Sequence, residues 1–386
     1  MSGHHLVGKE ERDALNKIFD EQGGVLFAHG FDVRRNHVFL VKETENYLAS
    51  TTLNCKYVSL VSSGTAALKI ACKAVGVQPN TKVITQAFNF IAVAEVIHDL
   101  GCEIIFCESD ETLNMCPIAL EKLIEENNDI SAVIPVSMLG NIPDLKKMRK
   151  ICRSKEVPLI LDGCESLGST IYGRDPTAFC DICVYSFDFG KTITCGEGGA
   201  LATNSIKFKK YSDSYRDHGH ALTVKARNLD PAVFPGFNFR ITEMQAAVLG
   251  EQAKKLPIIL SKQKSLFDNF CRPGGIVSKY LRPEVSTHIH QQDNVFLVNL
   301  SSDQVKRILK VLHGSGMGTK NVPDAIRWHC AYYWEHIEPK VKEDAAVLRT
   351  LTALKNSVCI NIDISRCESV YKTLGIDIEQ ALESRL

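Results

Sequence analysis

The chain has 386 residues, its 45 Lys and Arg side chains balance 45 Asp and Glu, and 45% of the residues are hydrophobic. This size and composition suit a large globular α/β domain joined to a smaller one. The zero net charge and the lack of a basic block argue against nucleic acid or an anionic membrane as the partner. Small-molecule partners are therefore expected.

The N-terminal segment MSGHHLVGKEERDALNKIFDE has the pattern of an amphipathic helix rather than of a signal peptide. No apolar stretch approaches the ~20 residues that span a bilayer, so we expect a cytoplasmic protein. The 14 cysteines lie mostly in apolar runs, which predicts free thiols and no structural disulfide. Cys180 and Cys183 have zinc-like spacing but lack a second ligand pair, and we predict no metal site.

From residue 58 onward, short β-branched runs alternate with longer helical stretches. This pattern predicts a mostly parallel sheet with helices on both faces. The strand runs are YVSLVSS, KVITQAF, EIIFCES, AVIPVSM, PLILDGC, DICVYSF and GALATN. The helical runs between them are AALKIACKAVG, IAVAEVIHDLG, PIALEKLIEENN and DLKKMRKICRSK.

The helix ITEMQAAVLGEQAKKL, from Ile241 to Leu256, closes a predicted large domain that covers residues 1–256 and includes the N-terminal helix. Beyond it the pattern changes to DNVFLVNL, SDQVKRILKVLHGSG and C-terminal helices. This change predicts a smaller α+β domain over residues 257–386, with the boundary near Pro257.

Ligands of open α/β sheets bind beyond the carboxyl ends of the strands, and three predicted ends carry reactive or polar residues. At the first, Ser63, Gly64 and Thr65 lead directly into a helix. Free backbone N–H groups there would hold a phosphate, with the Thr65 hydroxyl as a further donor. A plain helix cap is the alternative.

The second strand ends on Asp162, and the third carries Ser186 on the strand with Lys191 just past its end. Asp162 would bind a metal, act as a base, hold a heterocyclic nitrogen protonated or simply cap a turn. Lys191 is either a surface charge or an imine-forming nucleophile with a lowered pKa.

One cofactor makes use of all three strand ends. Pyridoxal phosphate (PLP) needs a lysine for its aldehyde, an anion cradle for its phosphate and an acid opposite its ring nitrogen. Phe90, in the run QAFNFIAV at another strand end, offers an aromatic face for the pyridine ring. The combination predicts a PLP site.

The chain resembles the sugar aminotransferases of the DegT/DnrJ/EryC1/StrS family, which have the fold type I architecture of aspartate aminotransferase. The matching runs are SSGTAAL, FNFIAVAEVI, ILDGCESLGSTIYGR, YSFDFGKTITCGEGGALATN, YRDHGH and GFNFRITEMQAAVLGEQ. The resemblance implies a fold type I PLP-dependent transferase that acts as a homodimer with two shared active sites.

The resemblance also implies roles for individual residues. Lys191 would be the Schiff-base lysine, Asp162 the partner of the pyridinium nitrogen, and Phe90 the stacking ring. Asn238 would reach the phosphate of the neighbouring subunit. The full cofactor-binding set implied is Ser63, Gly64, Thr65, Phe90, Asp162, Glu165, Ser186, Lys191 and Asn238.

Two positions distinguish this chain within the resemblance. Glu165 stands where the family usually has His or Gln, and beside the cofactor's phenolic oxygen it would need a proton or another orientation. Lys191 stands where a dehydratase branch has histidine, so the sequence favours amino transfer over deoxygenation.

The implied reaction moves an amino group, by family habit from L-glutamate, to a keto or aldehyde sugar. Within the family, the runs SFDFGKTITCGEGG, DHGH, GFNFRITEM and RWHCAYYWEHI resemble enzymes that aminate an 8-oxo derivative of the lipopolysaccharide sugar Kdo, giving 8-amino-3,8-dideoxy-manno-octulosonate. A nucleotide-linked keto-sugar aminotransferase and a non-catalytic PLP-binding regulator are the alternatives.

A Kdo-type acceptor carries a carboxylate, so its site should offer cations. His218, His220 and Arg240 are the substrate-binding residues we predict, and a structural salt bridge or a surface charge is the alternative for each. The wider set of candidate cations adds Arg34, Arg35, Arg227 and His329. For Trp328, Tyr332, Tyr333 and Trp334 the sequence favours core packing.

Overall fold

The computed structural model describes residues 3–223 and 229–383. The helices are α1 Lys9–Asp20, α2 Leu40–Tyr47, α3 Gly64–Val75, α4 Ala92–Asp99, α5 Pro117–Glu126, α6 Leu145–Ser154, α7 Ile206–Tyr215, α8 Glu243–Phe270, α9 Ser302–Gly314, α10 Ile326–His329, α11 Ala345–Lys355 and α12 Glu368–Glu383. The strands are β1 Tyr57–Val61, β2 Lys82–Gln86, β3 Glu103–Cys107, β4 Ile130–Ile134, β5 Ile160–Asp162, β6 Thr170–Ile171, β7 Ile182–Ser186, β8 Gly199–Thr203, β9 His288–Ile289, β10 Asn294–Leu297 and β11 Val358–Asn361.

The central sheet is built from two strand groups. One has the order β1-β8-β7-β5 and the other the order β3-β2-β4. Parallel bridges between Val133 and Leu159 and between Val136 and Asp162 join them through β4 and β5. Only β8 runs antiparallel to its neighbours in the central sheet as described. The carboxyl ends of β1, β2, β5 and β7 therefore meet at one edge of the sheet.

Local sequence explains why the helices start where they do. The Ser63 hydroxyl accepts the Ala66 N–H at 3.1 Å and caps α3. Thr242 and Gln245 form a capping box at the start of α8, satisfying backbone N–H groups that the first turn leaves unpaired. The α3 face that carries Ala67, Ile70 and Ala71 is fully buried against the sheet.

In the C-terminal part, β10 and β11 form an antiparallel pair. The helices α9, α11 and α12 belong to the same part of the chain. The helix predicted to end at Leu256 continues without interruption to Phe270, with Pro257 inside it. The predicted end of that helix was therefore wrong, because buried Ile259, Leu266 and Phe270 keep the apolar face of α8 packed beyond the proline. The division into domains at Pro257 stays a prediction.

All fourteen cysteines have free thiols, and seven of them are buried, Cys72, Cys107, Cys152 and Cys183 among them. In the chain as described, none of the helices combines the length and the apolar character that crossing a bilayer requires. Among the same residues no group of three or more His, Cys, Asp or Glu side chains is arranged to hold a metal ion.

Candidate active site

A cavity of about 270 Å³ opens at the sheet edge where the carboxyl ends of the strands meet. This volume is near the lower end of the range typical of small-molecule sites. Its walls include most of the residues singled out in the sequence, namely Ser63, Gly64, Thr65, Phe90, Asp162, Glu165, Ser186 and Lys191. Residues separated by more than 100 positions in the chain thus face one space.

Close packing at the turn before α3 explains two of the glycines. A Cβ on Gly64 would lie 3.0 Å from the Ser186 Cβ and 3.3 Å from its hydroxyl oxygen. A Cβ on Gly199, in β8, would lie 2.3 Å from the carbonyl oxygen of Ser63. Glycine at both positions lets the first turn of α3 approach Ser186 and β8. The resulting concave surface lies beside the N-terminus of α3 and two hydroxyl groups.

Lys191 lies in a tight turn after β7. The Asp188 carboxylate accepts the Gly190 N–H at 2.5 Å, and the Asp188 carbonyl accepts the Lys191 N–H at 3.1 Å. The turn folds back because the Cys195 N–H and the Thr194 hydroxyl both bind the carbonyl oxygen of Phe187. These bonds hold the lysine at the strand end with its side chain only 22% exposed.

The Lys191 amine has a carboxylate beside it: its Nζ lies 3.7 Å from Oε1 of Glu165. Burial disfavours the charged amine. Its titratable neighbours, with Glu165 contributing most and then Cys164, Asp188 and Asp162, outweigh burial and raise the pKa of Lys191 above its ordinary value. The sequence-based expectation of a lowered pKa for Lys191 was wrong when only the protein's own groups act on it, because it took no account of the Glu165 carboxylate.

Glu165 is correspondingly ionised. Burial opposes its charge, but Lys191, Lys320 and His329 together lower the pKa of the Glu165 carboxyl to about 2. Its orientation is also defined, since Oε2 accepts the Leu139 N–H at 2.8 Å. Among the protein's own groups Glu165 therefore needs no proton, and how it would be oriented toward the cofactor's phenolic oxygen stays a prediction.

Asp162 is 4% exposed and ends the central strand β5. Its Oδ1 accepts the Cys164 N–H at 3.0 Å. Burial raises the pKa of the Asp162 carboxyl, and the hydrogen bond from Cys164 and the charge of Lys191 offset that rise in part. A buried carboxylate of this kind gains when a cationic N–H is brought to it.

The C-terminal part of the chain contributes two side chains to the cavity, Asn321 and His329. His329 is 8% exposed, its Nδ1 lies 2.8 Å from the Ala325 carbonyl, and its ring centroid is 5.5 Å from that of Phe90. Burial lowers the pKa of His329. Asn321 was not predicted from the sequence, and His329 was only one of several candidate cations, because no local pattern places either near Lys191.

The predicted substrate residues lie outside this cavity. Arg240 forms an ion pair with Asp217, and Nδ1 of His220 is 3.7 Å from an oxygen of Asp230. His218 is exposed, with a left-handed backbone at φ 57°. Their role in substrate binding stays a prediction, and within one chain the structure does not bring them to Lys191.

Asn238 is exposed and also outside the cavity, on a segment bridged to Asp217. Arg35 is 1% exposed and binds the Phe27 carbonyl at 2.8 Å, so it is structural. Arg34 binds the Gly23 carbonyl at 3.1 Å. Arg227 lies outside the described residues.

The two tryptophans of the run RWHCAYYWEHI differ in burial. Trp334 is 1% exposed and belongs to the core, as predicted, with its indole N–H donating to the Arg327 carbonyl at 3.0 Å. Trp328 is 57% exposed, so the core prediction was wrong for this residue. The difference follows from α10, whose single turn carries Trp328 on its outer side.

Comparison with known proteins bears on this arrangement. The model of the DegT/DnrJ/EryC1/StrS aminotransferase family matches residues 40–352. The chain belongs to this family. GDP-perosamine synthase of Escherichia coli O157:H7 is 29% identical over 254 residues, which make up 66% of this chain and 66% of that protein.

Solved structures of low sequence identity share the fold of this family member. The crystal structure of 3-amino-5-hydroxybenzoic acid synthase aligns with a TM-score of 0.82 at 20% identity, covering 97% of each chain. Helicobacter pylori PseC, an aminotransferase involved in the biosynthesis of pseudoaminic acid, aligns with a TM-score of 0.80 at 20% identity, covering 98% of this chain and 97% of that one. The predicted fold type I architecture is confirmed.

The family is one of PLP-dependent aminotransferases, and the residues present suit that cofactor. The cavity combines a lysine amine, a buried carboxylate and an aromatic ring. The surface formed by Gly64 and Ser186, which a Cβ would fill, suits a phosphate at a helix N-terminus. The donor set therefore fits an anionic aromatic aldehyde, the chemical class to which PLP belongs.

Proposed function

We propose that the protein is a PLP-dependent sugar aminotransferase that transfers the amino group of L-glutamate to a keto or aldehyde sugar. The observation that carries this proposal is the convergence of Lys191 and Asp162 on one cavity beside the turn of Ser63, Gly64 and Thr65. A lysine, an acid and an anion cradle in one space are the three parts that this chemistry needs.

Each residue has a role in the proposed reaction. Bound PLP supplies an electrophilic carbon and a ring that accepts the electron pair of the broken C–H bond. Lys191 would hold the cofactor through its Nζ, and its amine would move a proton to and from the substrate carbon. Asp162 would hold the proton of the ring nitrogen, and Phe90 would orient the ring.

The hydroxyl groups of Thr65 and Ser186, with the backbone N–H groups that open α3, would bind the phosphate. Ser63 orients this turn, since its own hydroxyl oxygen already caps the helix. Glu165 would lie against Lys191 rather than donate a proton, given its ionised state.

For the acceptor we propose 8-oxo-Kdo, on the basis of the sequence runs around Lys191, His218 and Trp328. A sugar acid of this class needs a cation near the cavity. His329 lines the cavity, but burial lowers the pKa of its ring, so the cation would come from another residue or from a second copy of the chain.

A nucleotide-linked keto sugar is the second candidate, favoured by the similarity to GDP-perosamine synthase. The two acceptors differ in charge, because a nucleoside diphosphate requires more cationic side chains than a single carboxylate does. In the part of the chain that the structure describes, no arginine lines the cavity. Within one copy the cavity therefore suits the sugar acid better, and in the dimer proposed below Arg240 of the other subunit would add a cation.

We also propose a homodimer with shared active sites. Asn238 is exposed on a segment that carries several exposed apolar side chains, Leu222, Leu229, Val233 and Phe237. A surface on which such side chains come together would be typical of a protein interface. In such a dimer, Asn238 and Arg240 would approach the cavity of the other subunit.

The experiment that tests the proposal has three stages. Borohydride reduction of the protein with PLP should fix the cofactor on the Lys191 peptide, as mass spectrometry would detect. Glutamate alone should convert bound PLP to pyridoxamine phosphate, a step that a non-catalytic PLP-binding regulator would fail. An acceptor panel of oxidised Kdo and nucleotide keto sugars would then identify the substrate, and failure of the glutamate step under varied conditions would refute the aminotransferase.

A further inference from the structure

The carboxylate of Glu165 is held against Lys191 from three directions. Its Oε1 lies 3.7 Å from the lysine Nζ and accepts a hydrogen bond from the side-chain amide of Asn321 at 3.4 Å. Its Oε2 accepts the Leu139 N–H at 2.8 Å. With three partners and 15% exposure, the carboxylate has little freedom to turn away from the amine.

The Leu139 N–H is presented by an unusual backbone. Leu139 has φ 56° and ψ 38°, the left-handed region that costs a non-glycine residue roughly 1 kcal/mol or more. Backbone strain of this kind persists where the surrounding structure over-determines it, which occurs often at functional sites. Here the strained turn points an N–H at the one carboxylate oxygen that does not face Lys191.

A second set of contacts ties Glu165 to the lysine turn through the C-terminal part of the chain. Thr192, next to Lys191, binds the side chain of Gln291, which lies 3.4 Å from the carboxylate of Asp293. Asp293 forms a buried ion pair with Lys320, the neighbour of Asn321. The contacts therefore close a ring from Lys191 through Thr192, Gln291, Asp293, Lys320, Asn321 and Glu165 back to Lys191.

The neighbouring groups favour the charged forms of both the Lys191 amine and the Glu165 carboxylate. The groups facing Lys191 are the carboxyl groups of Glu165, Asp188 and Asp162 and the thiol of Cys164, whose pKa burial raises so that it stays uncharged. The cationic or titratable groups facing Glu165 are Lys191, Lys320 and His329. Although burial opposes both charges, the pKa of Lys191 is raised and that of Glu165 lowered, so the pair is ionised near neutral pH.

We propose that Glu165 is a positioning residue that holds the Lys191 amine over the cavity and sets the pH above which this amine reacts with a carbonyl. The inference rests on the proposed function and adds a residue to it. A neutral side chain there would hold the amine by a hydrogen bond but would not stabilise its charge.

The affected step is the capture of the cofactor. Neutral Lys191 adds through its nitrogen lone pair to the aldehyde carbon. The two amine hydrogens then leave with the aldehyde oxygen as water when the carbon–nitrogen double bond forms. The charged amine has no lone pair to offer, so at saturating aldehyde the rate of capture follows the neutral fraction.

The test measures capture directly and needs no turnover. Apoprotein is mixed with excess PLP between pH 6 and 9.5, samples are quenched with borohydride over time, and the labelled Lys191 peptide is quantified by mass spectrometry. The variants are Glu165→Gln, which is isosteric and uncharged, and Glu165→Asp, which keeps the charge. Thermal unfolding of each variant checks the fold.

We expect the wild-type rate to rise throughout the range, by about tenfold per pH unit, without a plateau. Glu165→Gln should capture PLP at least about tenfold faster at pH 7, with its plateau at lower pH. Glu165→Asp should keep the wild-type pH dependence, because it keeps the negative charge beside Lys191. A merely structural role for Glu165 would not make the charged Asp variant differ in this way from the uncharged Gln variant.

Three results would separate the possible failures. No label on Lys191 in the wild type would overturn the proposed function itself. Label on Lys191 with the same pH dependence in wild type and Glu165→Gln, or a slower Gln variant, would overturn only the role of Glu165. If Glu165→Gln does not fold, the wild-type profile decides, and a plateau below pH 9 would refute the inference.

Discussion

Gly199 lies so close to Ser63 that a Cβ at position 199 would stand 2.3 Å from the Ser63 carbonyl oxygen. β8 therefore passes directly beneath the turn that opens α3, and the proposed phosphate surface exists only because this strand has no side chain there. The contact is with backbone atoms, which cannot rotate away as a flexible side chain would.

Gly199→Ala should therefore displace the turn of Ser63, Gly64 and Thr65. We expect a loss of stability of about 1–3 kcal/mol, as for other overpacked interiors, and weaker binding of PLP. Denaturant unfolding and a PLP titration would measure both. Gly314→Ala is the matched control, because nothing lies within 4 Å of a Cβ there, and it should be neutral or slightly stabilising.

Lys191→Ala should remove the covalent attachment of the cofactor while the fold is retained. Loss of the amine that binds PLP and moves the proton should lower turnover by about 10²- to 10⁴-fold. Borohydride labelling and a glutamate half-reaction assay would detect the change. Lys264→Ala, at an exposed lysine paired with Asp268, should keep both properties. Near-normal transamination by Lys191→Ala would contradict the assignment.

Asp162→Asn should separate catalysis from binding. The amide keeps the shape of the side chain and can still accept the Cys164 N–H, but it does not hold a protonated ring nitrogen by charge. We expect PLP to bind with an altered absorption spectrum and the glutamate half-reaction to slow by about 10²- to 10³-fold. Single-turnover absorbance would measure the rate, and a wild-type rate would remove the proposed role of Asp162.

The Lys320–Asp293 pair is buried, with side-chain exposures of 7% and 6%. Lys320→Met should leave the Asp293 carboxylate unpaired and destabilise the protein by about 3–5 kcal/mol, whereas Lys320→Met with Asp293→Leu should recover most of this loss. Lys306→Met, in the exposed pair with Asp303, should change stability by less than about 0.5 kcal/mol. Chemical denaturation would compare the four proteins.

The same pair predicts a pH dependence. Burial opposes the Lys320 charge, but Asp293 and Glu165 raise the pKa of Lys320 above its ordinary value of 10.5. A raised lysine pKa contributes stability that is complete below pH 10.5 and is lost as the pH rises through the folded-state pKa. The wild type should therefore lose more stability above about pH 10.5 than the double variant does, as thermal melts across that range would show.

Mixed dimers would test whether Asn238 acts across the subunits. Homodimers of Lys191→Ala and of Asn238→Ala should each have low activity. If Asn238 serves the neighbouring site, a heterodimer of the two chains has one site with both wild-type residues, and coexpression should restore up to about half of the wild-type activity per heterodimer. No recovery in a purified heterodimer would mean that Asn238 acts within its own chain or not at all.

Several features could be predicted from the sequence because they depend on short-range patterns. The alternation of β-branched and helical runs indicated the sheet, and strand direction then implied that Ser63, Asp162 and Lys191 lie at one edge. All three do line one cavity. The α/β fold class and the family resemblance follow from the same stretch of the chain, and the family model covers it.

Other features depended on contacts between distant segments, which local patterns do not encode. Asn321 and His329 reach the cavity from the C-terminal part, while Arg240 and His220 are directed to Asp217 and Asp230 instead. The same holds for the charge on Lys191. Sequence alone identified the lysine, but its raised pKa comes from a carboxylate 26 positions earlier that tertiary packing brings within 3.7 Å, because electrostatic interaction depends on distance in space and on burial rather than on separation along the chain.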